Sequence, residues 1–172
     1  METTDSDKHW YVVLTRTNSE RKVRDYFQLQ EVDTFLPVQN RVIEREGKRI
    51  ERERLLLPRM VFVHISRQEM AAVRSTLNVY DFLRDRSTGA PTCIPDAQMA
   101  DFRYMLDYSQ DQVILTGESI PKGTRVVVAK GDLQGLRGEL VRYNNKYHIL
   151  VRIDMFGSAM VTIPAKIGRA HV

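Results

Sequence analysis

A single cysteine, Cys93, stands among 172 residues, so no internal disulfide can form and a reducing, cytoplasmic setting is expected. Long apolar runs are missing as well. Leu55–Leu57 and Met60–Val63 fall far short of the roughly 20 residues that cross a bilayer, and no membrane association is expected. The opening METTDSD is acidic and polar, without the basic flank and apolar stretch of a secretory signal. The histidines, His9, His64, His148 and His171, are scattered, and with one cysteine there is no zinc-type spacing. No phosphate-cradling loop, dinucleotide glycine pattern or Gly-x-Ser-x-Gly elbow occurs; Gly131, Gly135 and Gly138 are not followed by Lys-Ser/Thr and a helix. Neither catalysis, metal nor cofactor is expected.

What is present is an ordinary globular balance, 42% hydrophobic and 28% charged residues, in a length that suits two small domains. The net charge of +4 is unevenly spread: residues 121–172 carry nine bases against three acids, whereas residues 8–107 carry seventeen against fourteen. A basic tail domain beside a nearly balanced one suits a nucleic-acid neighbourhood, although a soluble surface reads the same way.

Trp10–Leu14 is a β-branched and aromatic run suited to a buried strand. Asn18 or Ser19 then offers a helix N-cap, with Val23, Tyr26 and Phe27 at helical spacing. Phe35–Val38 starts a second strand. Arg41–Arg54 alternates bases and acids and reads as an exposed hairpin turning at Gly47. Arg59–Ile65 is the strongest strand and is expected at the centre of a sheet. Ser66 and Glu69 fit a capping box, followed by a helix with Met70, Val73 and Leu77 on its apolar face. Val79–Leu83 is strand again, and Pro95-Asp96 opens a helix burying Met99, Phe102, Met105 and Leu106. The order is α+β, an antiparallel sheet backed by helices. Residues 108–120 read as a linker. Beyond Pro121, short strands at Arg125–Ala129, Glu139–Tyr143, Tyr147–Asp154 and Ala159–Ile163, punctuated by glycine, predict a small all-β barrel.

These segments resemble, in order, the NusG family of transcription elongation and antitermination factors. Trp10-Tyr11-Val12-Val13, Phe35-Leu36-Pro37, the charged hairpin, Leu57–Val63 and Val79–Leu83 look like its N-terminal (NGN) domain. Lys122–Val128, Gly131–Gly138 and Met155-Phe156-Gly157 resemble a KOW motif in an SH3-like barrel. The implied domains are 8–107 and 121–166, joined by the linker 108–120. Housekeeping members usually have Pro-Gly-Tyr where this chain has Pro58-Arg59-Met60, and an aromatic residue at Leu133. The segment Pro95–Phe102 with the strand Leu57–His64 looks closest to UpxY, the specialised paralogs of capsular polysaccharide operons. Residues 167–172 (IGRAHV) read as an assembly artefact.

The resemblance implies binding to core RNA polymerase through its clamp helices, by an apolar depression whose matching positions are Leu14, Leu57, Met60, Phe62 and Phe82. Core packing is the competing reading for each. It implies contact with the non-template DNA strand at Arg16, Thr17, Ser19, Lys22, Arg74 and Thr76, cations suited to phosphate and hydroxyls suited to base edges. The Arg41–Arg54 hairpin is open between meeting DNA or polymerase and serving as a solubilising edge. In the barrel, Gly131 and Gly138 belong to the KOW turns. Leu133 and Phe156 match loops that present an apolar patch to Rho or to a small-subunit ribosomal protein. The rival functions are a housekeeping NusG and a ribosome-associated KOW RNA-binding protein.

Overall fold

The computed structural model describes residues 7–163 and the backbone of residues 169–171. Two compact units emerge, Met1–Asp96 and Ala97–Val172. The first holds strands β1 (His9–Thr15), β2 (Asp33–Phe35), β3 (Val38–Arg45), β4 (Lys48–Leu55), β5 (Met60–Ile65) and β6 (Val79–Phe82), with helices α1 (Glu20–Leu29) and α2 (Met70–Arg74). Four strands make an antiparallel sheet in the order β2-β5-β1-β6, and β3 and β4 form a separate two-stranded sheet among the described residues.

Both faces of this sheet are apolar, which is why WYVVL and MVFV run unbroken instead of alternating with polar residues. On one face Tyr11 and Val13 stand opposite Val63 and Val61, with Phe82 beside Val13. They meet Val23 and Phe27 of α1 and Val73 of α2 in a single core. Burial of each large side chain there contributes about 2–3 kcal/mol. On the other face Trp10, Val12 and Leu14 pair with His64, Phe62 and Met60. The Trp10 ring lies 5.0 Å from His64, and Phe35 lies 5.8 Å from Phe62.

The capping box forms as its spacing requires: the amide and hydroxyl of Ser66 both donate to Glu69 Oε1, at 3.2 and 3.0 Å. It starts a short 3-10 turn (Arg67–Glu69) that runs into α2. The helix ends at Arg74, so Leu77, expected on its buried face, is instead 83% exposed. Thr76 donates its hydroxyl to the Ala72 carbonyl and Asn78 takes a φ of 70°, which turns the chain into β6. Tyr26, expected on the apolar face of α1, is also largely exposed; Val23 and Phe27 alone carry that face.

The second unit contains α3 (Asp96–Tyr108) and strands β7 (Ile114–Thr116), β8 (Thr124–Val128), β9 (Arg137–Tyr143), β10 (Lys146–Ile153), β11 (Gly157–Thr162) and β12 (Arg169–His171). Helix α3 buries Met99, Phe102, Met105 and Leu106, as its spacing predicts. Although 8–107 was the expected first domain, α3 clusters with this unit. Gln98 and Asp154 exchange hydrogen bonds of 3.1 and 2.8 Å, and the Tyr104 hydroxyl donates to the Gln134 carbonyl. Residues 108–120 are not structureless either. Ile114–Thr116 pairs with β11, and Ile114 and Ile120 pack on Val141, Leu150 and Met160. The antiparallel sheet runs β12-β8-β9-β10-β11-β7; among the described residues it is open rather than a closed barrel, with three-residue strands at both ends. Of the suspected artefactual tail, residues 167, 168 and 172 lie outside the described residues, and Arg169–His171 pair with β8.

Two contacts fix this unit's centre. A Cβ on Gly138 would sit 2.7 Å from the Leu150 carbonyl oxygen and 2.9 Å from Ile149 Cγ1, so β9 and β10 approach only without a side chain there. Arg152 grips the buried Glu139 with two nitrogens, at 2.7 and 3.1 Å, and donates to the Ile120 carbonyl at 2.9 Å. Glu139 Oε1 also accepts from the Gly123 amide at 3.0 Å, tying residues 120–123 to the sheet.

Candidate nucleic-acid and polymerase-binding surface

Three connections of the first unit converge at the end of β1. The Thr15 amide donates to the Arg59 carbonyl and the Arg16 amide to the Asn78 carbonyl, both at 2.9 Å. The Arg59 amide donates to Oε1 of the buried Glu20 at 2.9 Å, holding the start of α1 against the turn before β5. Between these connections lies an open cleft of about 500 Å³ lined by Thr15, Arg16, Thr17, Arg59 and Tyr80. Lys22, Tyr26, Thr76 and Leu77 line a second groove of about 390 Å³. Guanidinium groups beside an exposed aromatic ring are the residue types that hold a phosphate backbone while a base stacks.

Of the residues expected to meet DNA, the structure brings Arg16 and Thr17 together in the cleft, and Lys22 and Thr76 in the groove. Arg74 is exposed, but its Nε lies 3.5 Å from Asp81. The Asp81 carboxyl is held below the usual carboxylate range by hydrogen bonding from Arg84, assisted by the Phe82 amide and the Arg84 and Arg74 charges. Ser19 occupies the N-cap position of α1 yet is buried, and its hydroxyl donates to the Thr17 carbonyl at 3.4 Å, so it shapes the loop from within.

Arg59 and Tyr80 were not foreseen. Strict alternation would put Tyr80 on the same face as Phe82, inside. A register shift between Leu14 and Thr15 leaves Tyr80 unpaired and turns it outward, 64% exposed. No local sequence signal marks that bulge. Arg59 sits at a φ of 63°, a left-handed conformation that a non-glycine residue adopts only at a cost.

The apolar set divides. Leu14, Met60 and Phe62 share the sheet face opposite α1, and Leu57 lies half-buried in the turn leading into it. On that face Phe62 is fully buried, whereas Leu14 and Met60 are half-buried. Phe82 is on the opposite face, in the core with Val23 and Phe27, because Val13 is its cross-strand neighbour. One sheet cannot present both parities to a single partner, so Phe82 leaves the set. In the second unit Gly131 takes a φ of 91° in the turn before β9. Leu133 is buried rather than presented, and Phe156 is half-buried in the turn before β11.

The first unit thus combines antiparallel sheets, helices packed on one sheet face and a basic cleft beside the exposed Tyr80; no group of side chains that could hold a metal occurs among the described residues. Residues 8–103 match the NusG family model, described as transcription termination factor nusG; the match spans more than half of the chain, and the chain belongs to that family of transcription factors. No curated protein matches it. Among solved structures, NusG from Thermotoga maritima, described for its domain interaction, is 18% identical with a TM-score of 0.51, covering 98% of this chain and 99% of that one. At that identity the likeness speaks for the fold. Conformations A and B of the MjSpt4:Spt5 complex are 15% and 14% identical and cover 95% of this chain and 97% and 99% of theirs. Their TM-scores, 0.31 and 0.33, carry no argument.

Proposed function

We propose that this chain is a transcription elongation and antitermination factor that binds core RNA polymerase with its first unit and suppresses pausing and premature termination. The observation that carries the reading is the NusG family match over residues 8–103, the segment that holds the converging loops around Arg16 and Arg59. Leu14, Leu57 and Met60, with the buried Phe62 on the same sheet face, form the apolar contact to the polymerase clamp helices. Arg16, Thr17, Lys22, Arg59 and Thr76 face the non-template strand. A factor that contacts the closed clamp better than the open one shifts that equilibrium, and a preference of about 1–2 kcal/mol, roughly five- to thirtyfold, changes pausing materially. The second unit, through its KOW-like turns at Gly131 and Phe156, recruits Rho or a small-subunit ribosomal protein. The resemblance to UpxY in Pro95–Phe102 favours long capsular polysaccharide operons over a genome-wide role.

The test is capture of core RNA polymerase by the full-length chain, followed by transcription in vitro across a terminator. Retention of polymerase with increased read-through is expected. Failure to retain the enzyme overturns the reading. Retention with unchanged read-through on a capsular leader removes the antitermination role.

A further inference from the structure

The β3–β4 hairpin sorts its charges by face. Its pairing is regular from Val38↔Leu55 to Arg45↔Lys48, so residues facing each other across the ribbon share a side. One side carries Asn40, Val42 and Glu44 opposite Glu53, Glu51 and Arg49. The other carries Arg41, Ile43 and Arg45 opposite Arg52, Ile50 and Lys48. The alternation of signs along the chain therefore becomes an acidic face and a face bearing only cations around an Ile43–Ile50 pair. The acidic face is turned toward α1, because Glu53 pairs with Arg21 of that helix at 3.3 Å. Val38 and Leu55, on the same side, pack against the core. The basic face points the other way.

Cations stand directly opposite each other, Arg41 against Arg52 and Arg45 against Lys48, an arrangement that destabilises a ribbon; a solubilising edge would instead mix signs in each pair. All four side chains are exposed, and none forms an ion pair among the described residues. The hairpin sets local stability against the presentation of one sign of charge.

We propose that this basic face is a second nucleic-acid surface, distinct from the cleft at Arg16, and that it seats in the major groove of duplex DNA. That groove, about 12 Å wide, admits a two-stranded β-ribbon. Long side chains splaying from a cross-strand pair whose Cβ atoms stand about 5 Å apart reach the phosphates on both walls. Duplex RNA is excluded by its deep, narrow major groove. The inference does not depend on the polymerase reading.

The experiment measures anisotropy of a fluorescein-labelled duplex DNA of about 20 base pairs, without polymerase, against the full chain between about 50 and 200 mM salt. The variant Arg41→Gln/Arg45→Gln/Lys48→Gln/Arg52→Gln should bind at least tenfold more weakly at low salt. Its slope of log affinity against log salt should be shallower by up to about 3.6, near 0.9 for each of the four phosphate contacts removed. Glu44→Gln/Glu51→Gln, on the opposite face, should lose nothing. Removing like-charge pairs should hold or raise the melting temperature. The proposal is overturned if the quadruple variant binds duplex as the parent does, or if a single strand of the same length suffers the same loss. A lower melting temperature, which would show that the cations serve the fold, overturns it equally.

Discussion

At the scale of residues, the closest test of the polymerase contact sets Met60 against Phe82. Met60 lies half-buried on the face opposite α1, whereas Phe82 is 3% exposed inside the core. Met60→Asp should lower polymerase affinity at least tenfold, about 1.4 kcal/mol, while circular dichroism stays that of a folded chain. Phe82→Ala should instead cost about 3–4 kcal/mol of stability by leaving a cavity, seen as a lower denaturation midpoint. Unfolding by the first, or reduced polymerase affinity from the second at unchanged stability, would reverse the assignment. Glu139 tests the second unit through pH. Hydrogen bonding from Arg152 is the largest influence on its carboxyl and holds it below the usual range; burial opposes, and the Gly123 amide and the Arg152 and Arg125 charges assist. A group depressed on folding contributes stability above its unfolded value, near about 4.3 for Glu, and loses it as pH falls through the folded value. Melting temperature should therefore drop on acidification below pH of about 4, and Arg152→Ala, which leaves the Glu139 carboxylate with the Gly123 amide alone, should cost about 1–2 kcal/mol at neutral pH, since Arg152 is partly screened by solvent. If Arg152→Ala melts like the parent, the bridge does not tie residues 120–123 to the sheet.

At the scale of elements, the turn before β5 sets conformation against charge. Arg59 holds a left-handed backbone at the place where the resembled housekeeping members have glycine. A strained residue in a cleft wall is a reason to look for function, and here it brings a second guanidinium beside Arg16. Arg59→Gly should leave stability unchanged or raise it by up to about 1 kcal/mol, although glycine elsewhere in a strand costs about 0.5–1 kcal/mol. The same change should weaken single-stranded DNA binding in an anisotropy titration. A loss of stability with unchanged binding would make Arg59 a structural residue. Much of this layout is legible in the sequence, wherever one local force decides it. Trp10–Leu14 and Met60–Ile65 are strands because both faces of their sheet are dry. The hairpin turns at Gly47 because Glu46 and Gly47 both take positive φ, as a two-residue loop between Arg45 and Lys48 requires. What stayed hidden depends on partners distant in sequence. Ile114–Thr116 is too short to declare itself and becomes a strand only by pairing with β11. Tyr80 faces outward because of a bulge against β1, and Gln98 and Tyr104 of α3 find hydrogen-bond partners, Asp154 and Gln134, far along the chain. Charge order along β3 and β4 was plain, but its sorting onto two faces needed the register.

At the scale of the whole molecule, the question is whether positive charge steers this factor to nucleic acid or reads it. Arg16 and Lys22 lie exposed in adjoining hollows, the first with Thr17 and Tyr80, the second with Thr76 and Tyr26. Cations attract phosphate whatever the sequence, and the attraction weakens as salt competes for each contact. Hydroxyls at base edges discriminate, and in weaker proportion. Thr76 is already committed as a donor to the Ala72 carbonyl, which leaves its oxygen lone pairs free to accept from a base amino group. Arg16→Ala/Lys22→Ala should therefore reduce antitermination on every template, and should lower the salt slope of binding to a single strand by about 1.4, near 0.7 for each phosphate contact removed. Thr76→Val should leave that slope alone and narrow the difference between two leader sequences, by about threefold to tenfold if one base contact of roughly 1 kcal/mol is lost. Transcription on two leaders at two salt concentrations separates these outcomes. If the double variant elongates like the parent at both salts, this face does not meet DNA. If Thr76→Val changes both leaders equally, the hydroxyl belongs to the α2–β6 turn and not to recognition.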